Sequence, residues 1–456
     1  MTWTRRSFFA TAAAPLFAQK SAPGPRPNIV LVLADDLAAW MLGCYGNQEI
    51  RTPNIDRIGD AGTRFINSFC CTPASSASVA TLFTGRTPAQ HGIQDFLTSS
   101  PTANPPQGQS APPASFANEI MISDLLAQGG YRCGYVGKWH MGNDEKPGHG
   151  FSYTAIAGGK GYQDPTLSVN GSGVNEKGYL AEVLTRHACS FIDQQQKGTP
   201  FFLTVGHANP HVPYEGHPGK YYEMYKGSKF ESFGIQPAAA HALLGKEYLE
   251  DPVANMRRCA AAVTALDDQI PALQKKLLEK GFFENTIFIF TSGNGILLGR
   301  HGLWSNGHAS DPINMFDEVV GVPMIWQWPG RVPTHSGRPE LVSAYDFLPT
   351  ICDAAGVKPP ANRNLCGRSY LLPVTNRPLP KKQSWQNVVF GQFRYTDMVR
   401  DNYYKLVLRH DGQGPNELYD MRKDPRERVN QYENASFVTV RDSLAKQLTA
   451  WRQKYA

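Results

Sequence analysis

No Cys-x-x-Cys pair occurs anywhere in the chain, and apart from the adjacent Cys70 and Cys71 its eight cysteines are scattered. That spacing argues against a zinc site and a disulfide framework, and leaves most of the cysteines as small buried hydrophobes. Charge of one sign is scarce as well. The net charge is +6, two units of it from Arg5 and Arg6, and the rest is too dispersed for a nucleic-acid surface. No apolar run reaches the roughly 20 residues needed to span a bilayer, and no internal repeat is present. What remains, 41% hydrophobic and 18% charged residues over 456 positions, suits one large α/β domain plus a smaller one. The 42 Gly and 34 Pro imply many loops, as in an enzyme whose site is built on connections.

The N-terminus has the pattern of a targeting segment. Thr4-Arg5-Arg6-Ser7-Phe8-Phe9 precedes a short apolar stretch from Ala10 to Ala18, which matches a twin-arginine leader over residues 1–18. Export to the periplasm or beyond is therefore expected. Residues 19–26 form a proline-rich linker.

From Asn28 to Ala34 the chain is continuously apolar and β-branched, which predicts a buried parallel strand ending in Asp35-Asp36. Thr52 to Arg64 has helical spacing, with Thr52 as the cap and Pro53 in the first turn. A helix over Ser123 to Gln128 leads to a strand over Gly134 to Trp139, and Phe201 to Val205 forms another. Arg257 to Lys280 reads as one long amphipathic helix, kinked at Pro271 and closed by Gly281. Thr286 to Phe290 is a further buried strand, followed by Thr291-Ser292-Gly293-Asn294-Gly295. This alternation predicts a mostly parallel sheet flanked by helices, spanning 27–373. Beyond Pro373, short strands at Val388 to Phe390 and Tyr404 to Leu408 and a helix over Val438 to Lys454 predict a small antiparallel subdomain, 374–456.

Several strand ends carry polar groups, and open α/β sheets bind ligands there. Asp35 and Asp36 offer paired carboxylates to a hard cation such as calcium. Lys138 and His140 share one face of an extended segment. Asn209-Pro210-His211 and Ser292-Gly293-Asn294 follow two other strands. Taken singly, each has an ordinary structural explanation: a helix cap, a solvated turn or a core histidine. Their common position at strand ends makes a convergent site.

In order, these segments resemble those of the sulfatase family over nearly the whole chain after the leader. The resemblance is carried by PNIVLVLADDL (27–37), LGCYGNQEIRTPNIDRIGDAGTRF (42–65), the TGR of residues 84–86, VGKWHMG (136–142), ANPHVPY (208–214), ALDDQI (265–270), TIFIFTSGNGILLGRHGLW (286–304), AYDFLPTICDAAG (344–356), VRDNYYKLVLR (399–409) and NELYDMRKDP (416–425). It implies an alkaline-phosphatase-like fold. It also implies hydrolysis of sulfate esters by a formylglycine made from a serine or cysteine by a maturase, with one calcium ion. Asp35, Asp36 and Asn294 match metal ligands, and Lys138, His140 and His211 match groups that contact sulfate.

Counted back from Thr84-Gly85-Arg86, the nucleophile position falls on Ser75. Cys71 also begins a motif-like Cys-Thr-Pro, but it lies four residues out of register. Three positions depart from the pattern. Val79 replaces an arginine, Gly293 a metal-binding aspartate, and Asn306 a lysine. Arg300, His301, His308 and Asp311 flank the altered segment as possible substitutes. The chain thus reads as a sulfuric ester hydrolase acting on a sulfated carbohydrate or small organic sulfate. The alternatives are a degenerate relative that binds a sulfated or acidic ligand, and a phosphate or phosphonate ester hydrolase using unmodified Ser75. Selectivity is expected from the loops Leu97 to Pro113 and Gly216 to Asp251.

Overall fold

The computed structural model describes residues 25–97, 109–110, 114–142, 148–158, 161–410 and 412–455. The leader, most of the linker and most of the loop from Leu97 to Pro113 lie outside these. In chain order the strands are β1 (Asn28–Asp35), β2 (Thr63–Phe69), β3 (Phe96–Leu97), β4 (Gln109–Ser110), β5 (Arg132–Gly137), β6 (Phe151–Ala157), β7 (Thr166–Val169) and β8 (Ser172–Asn175). They continue with β9 (Phe201–Pro210), β10 (Thr286–Ser292), β11 (Met324–Gln327), β12 (Ser336–Ser343), β13 (Val388–Phe393), β14 (Thr396–Asp401), β15 (Tyr404–Arg409) and β16 (Glu417–Asp420).

Ten of these form one mixed sheet in the order β12-β2-β11-β10-β1-β9-β5-β6-β7-β8, parallel through its centre from β10 to β6. Strand β1 is buried along its whole length, because helices cover both faces. Its side chains alternate: Val30, Val32 and Ala34 enter one core cluster, Ile29, Leu31 and Leu33 the other. The predicted α/β class, with a large mostly parallel sheet and a small antiparallel one, matches this architecture. Among the described residues no helix is long and apolar enough to cross a membrane.

Two helix predictions are corrected. The helix after Thr52 runs only from Pro53 to Asp60, and Thr63 and Arg64 belong to β2. Thr52 occupies the cap position without capping through its side chain; its hydroxyl accepts from the Gly43 N–H and donates to Asp56. The free amides of Asn54 and Ile55 are instead taken by Asp267, at 3.0 and 2.7 Å. This gives the ALDDQI segment a structural task, satisfying a helix end from 213 residues away. The predicted long helix is two, Pro252–Asp267 and Ile270–Glu279, and the break falls before Pro271. Pro271 lies in the first turn of the second helix, where its missing N–H costs nothing.

All eight cysteines are free thiols, and five of them are buried. The C-terminal sheet, β13-β14-β15-β16, is antiparallel and carries the helix Val438–Tyr455. One charged cluster joins it to the main body. The fully buried Lys405 ammonium on β15 lies 2.8 Å from Asp317 and 2.7 Å from Glu427, and donates to the Met315 carbonyl. Arg400 on β14 reaches the other Asp317 oxygen at 3.2 Å.

Candidate active site

The site is set by the carboxyl ends of β1 and β10. The two strands pair in parallel up to Ala34 opposite Ser292. Beyond that point the Gly293 N–H donates to the Ala34 carbonyl and the Leu37 N–H to the Asn294 carbonyl, both at 3.0 Å. This zipper holds Asn294 against Asp36, and its side-chain amide donates to Asp36 Oδ1 at 2.6 Å. Asp36 turns the chain with φ of 59°, in the left-handed region that a non-glycine residue enters rarely and at a cost.

Ser75 opens the helix Ser75–Thr84, all ten residues of which are buried. Its hydroxyl donates to Asp35 Oδ1 at 2.6 Å and lies 3.2 Å from Asn294 Oδ1. The unpaired amides and dipole of a helix N-terminus favour an anion at this point. Cys71 stands elsewhere. Its carbonyl accepts from the Gln392 N–H of β13, and burial pushes its thiol up to about 12.

Lys138 follows β5 and places its ammonium 2.5 Å from Asp35 Oδ2. Burial alone would raise Asp35, but the charges of Lys138 and His211 and the hydrogen bonds from Lys138 and Ser75 hold it well below the usual carboxylate range. Asp36 moves the other way. Burial raises it, against the pull of the His211 charge and with the help of the Asp35 charge. His211 Nε2 is 3.8 Å from Asp36 Oδ2, and its Nδ1 faces the Val212 carbonyl at 2.6 Å.

His140 approaches from the other side, with φ of 53°. Its Nε2 faces the Leu97 carbonyl at 3.1 Å, its ring meets Phe96 edge-on, and its Nδ1 is buried without a partner. Burial, and then the Lys138 charge, lowers His140 to about 3, so the ring is neutral. Asp35, Ser75, Lys138, His140 and Val79 line one cavity of about 20 Å³, room for about one water.

The structure thus brings Ser75, Asp35, Asp36, Asn294, Lys138, His140 and His211 to one place. One neighbour carries little signal in the sequence. His207 on β9 lines the same cavity with both ring nitrogens unpartnered, and an isolated histidine in an apolar strand announces nothing. Asn306, singled out as a lost lysine, still faces the site, and its amide donates to Asp36 Oδ1 at 3.2 Å.

Of the proposed substitutes, Arg300 stacks over Trp40 and pairs with Glu318, while His301 stacks on Phe316. The Asp311 N–H donates to the His241 carbonyl. His308 pairs with Asp95 at 2.6 Å, and Arg394 reaches the other oxygen of the same carboxylate. The loop Gly216 to Asp251 packs Tyr221, Tyr225, Phe230 and Phe233 into the main core.

Known proteins resemble the chain in sequence and in fold. The chain is 25% identical to the N-acetylglucosamine-6-O-sulfatase of Bacteroides thetaiotaomicron, over 94% of this chain and 87% of that protein. A structure solved in complex with its substrate D-glucosamine-2-N,6-O-disulfate superposes with a TM-score of 0.78 at 24% identity, covering 94% of this chain and 98% of the other. The phosphonate monoester hydrolase of Agrobacterium radiobacter shares the fold at a TM-score of 0.70 and 19% identity, over 94% and 96% of the two chains. The profile of the family described as N-sulphoglucosamine sulphohydrolase, C-terminal, matches residues 306–454. The sulfatase profile matches residues 27–357, the sheet and every site segment named above, and the chain is a hydrolase of the sulfatase family.

Proposed function

We propose that the protein hydrolyses sulfate esters carried by a carbohydrate, with Ser75 matured to formylglycine as its nucleophile. The observation that carries the reading is the seat of the Ser75 hydroxyl, at a helix N-terminus and 2.6 Å from Asp35 beside the Lys138 ammonium. Similarity to enzymes of glucosamine sulfates supports a sulfated sugar as substrate.

Asp35, Asp36 and Asn294 would hold calcium, since two buried carboxylates and an amide oxygen converge there, and burial and the Asp35 charge raise Asp36. The fit is that of a weak site. Calcium takes six to eight oxygens and its affinity follows ligand charge, and Gly293 supplies none. When present, formylglycine supplies the attacking hydroxyl of its hydrate, and calcium supplies positive charge against the sulfate oxygens. The chain's own groups do the positioning. Asp35 fixes the residue at position 75, the helix N-terminus and Lys138 offset charge building on the sulfate, and neutral His140 offers a hydrogen bond without adding charge. The leader supports action outside the cytoplasm.

Intact-mass analysis of the peptide holding Ser75 tests the nucleophile. Coexpression with a serine-type maturase should remove about two mass units, the two hydrogens lost on oxidation. An unmodified peptide would overturn this assignment. A second reading, an anion-binding relative without turnover, draws on the apolar Val79 where a cation is absent. It predicts sulfate-sugar binding with no sulfate release even from matured protein.

A further inference from the structure

A second cavity, of about 650 Å³, opens in the seam between the main body and the C-terminal subdomain. Its volume is that of a small-molecule site, which typically spans roughly 300–1,000 Å³. One wall is the segment that holds Ala89 and Gln94. The other comes from β13 to β15 and the helix Val438–Tyr455. The seam is closed by hydrogen bonds from the Ala89 N–H to Gln392 Oε1, 2.9 Å, and from the Thr87 hydroxyl to the Tyr455 carbonyl, 2.5 Å.

Three basic side chains face this space beside the carboxylate of Asp397: Arg394 at the β13–β14 turn, His410 after β15, and Arg452 on the terminal helix. Asp397, whose side chain is 1% exposed, holds His410 at 2.7 Å and Arg452 at 3.3 Å. Gln94 and Gln453 add neutral hydrogen-bonding groups. A guanidinium has five N–H donors in a fixed fork, so both arginines keep donors beyond those spent on Asp95 and Asp397. Fixed guanidinium groups beside amides suit a polar, negatively charged and hydroxyl-rich ligand.

The cavity is linked to the ester site by one run of contacts. Arg394 donates to Asp95, and Asp95 takes His308 at 2.6 Å. The His308 N–H meets the Asn306 amide oxygen at 3.3 Å, and Asn306 donates to Asp36. We infer that this cavity is a subsite for an acidic sugar unit, bearing a carboxylate or sulfate, next to the sugar whose ester is cut. The inference rests on the carbohydrate reading above and makes the substrate an oligosaccharide. Arg394, His410 and Arg452 bind the anionic group, and Asp397 positions the last two.

Calorimetry on the full chain tests it with a glucuronic acid–N-acetylglucosamine disaccharide that carries no sulfate and a neutral disaccharide as the control. The acidic disaccharide should bind at least tenfold more tightly than the neutral one. Arg452→Gln and His410→Gln, both at the solvent edge of the cavity, should each reduce that ratio toward one. Equal affinity for the two sugars, no binding of the acidic one, or a ratio unchanged in both variants overturns the subsite. Sulfate release from glucosamine 6-sulfate, measured on the same wild-type samples, reports separately on the ester site and stands or falls without the calorimetry.

Discussion

Gly293 and Val79 face each other in the site: a Cβ built on Gly293 would lie 3.2 Å from Val79 Cγ2. The two departures from the family pattern are therefore neighbours in space. The valine methyl stands where an aspartate at 293 would begin. Gly293→Asp should enlarge the rise in Tm caused by millimolar calcium, because it adds a charged oxygen ligand. Val79→Ala combined with Gly293→Asp should enlarge it further by clearing the contact. Scanning calorimetry with calcium and with chelator reads this: a calcium response unchanged in both variants would reject position 293 as a missing ligand, and no response at millimolar calcium in any of the proteins would reject a cation site at Asp35 and Asp36.

Lys138 is the cation that answers Asp35. Lys138→Met leaves a carboxylate whose side chain is 8% exposed without its partner. Loss of one member of such a buried pair costs about 3 kcal/mol. The variant should melt lower than wild type in chelator and recover part of the loss in calcium, which returns positive charge to Asp35. Its turnover should fall by about 10²- to 10³-fold through loss of charge stabilisation in the transition state. Equal melting of variant and wild type in chelator would show that the pair contributes nothing to folding.

His91 supplies a pH test away from the site. Its ring accepts from the Ile93 N–H at Nδ1 and meets the Thr81 hydroxyl at Nε2, 3.0 Å away. Burial, and then the Arg86 charge, pushes it down from 6.5 to about 3. Between those values the unfolded chain binds a proton that the folded one refuses, so the stability contribution present above pH 6.5 is lost as pH falls. Relative to His91→Asn, wild-type stability should decline by about 1.4 kcal/mol per pH unit between pH 6 and 4. Denaturant titrations at several pH values measure the difference, and a flat difference contradicts a buried neutral ring.

The main strands were legible because a strand buried on both faces is a continuous apolar run, and Asn28–Asp35 and Thr286–Ser292 are such runs. The register argument for Ser75 has a physical basis, since the helix Ser75–Thr84, capped by Gly85, fixes its distance from Thr84-Gly85-Arg86. What was not legible depends on contacts between distant segments. Asn306 reaches Asp36 across 270 positions, and Asp95, His308 and Arg394 meet only once the subdomain has docked. Helix ends failed for a local reason. Pro271 looks like a kink in a long periodic segment, yet it is equally at home in a first turn, and spacing does not separate the two.

Lys405 makes the two sheets thermodynamically one. A fully buried ammonium on the small sheet answers Asp317, which opens a short helix of the main body, as well as Glu427 of its own subdomain, so pulling the lobes apart would strip the Asp317 carboxylate of both Lys405 and Arg400. The boundary expected at residue 373 is thus bridged by an ion cluster. The same ion cluster helps hold together the lobes that frame the cavity between Arg394 and Gln94.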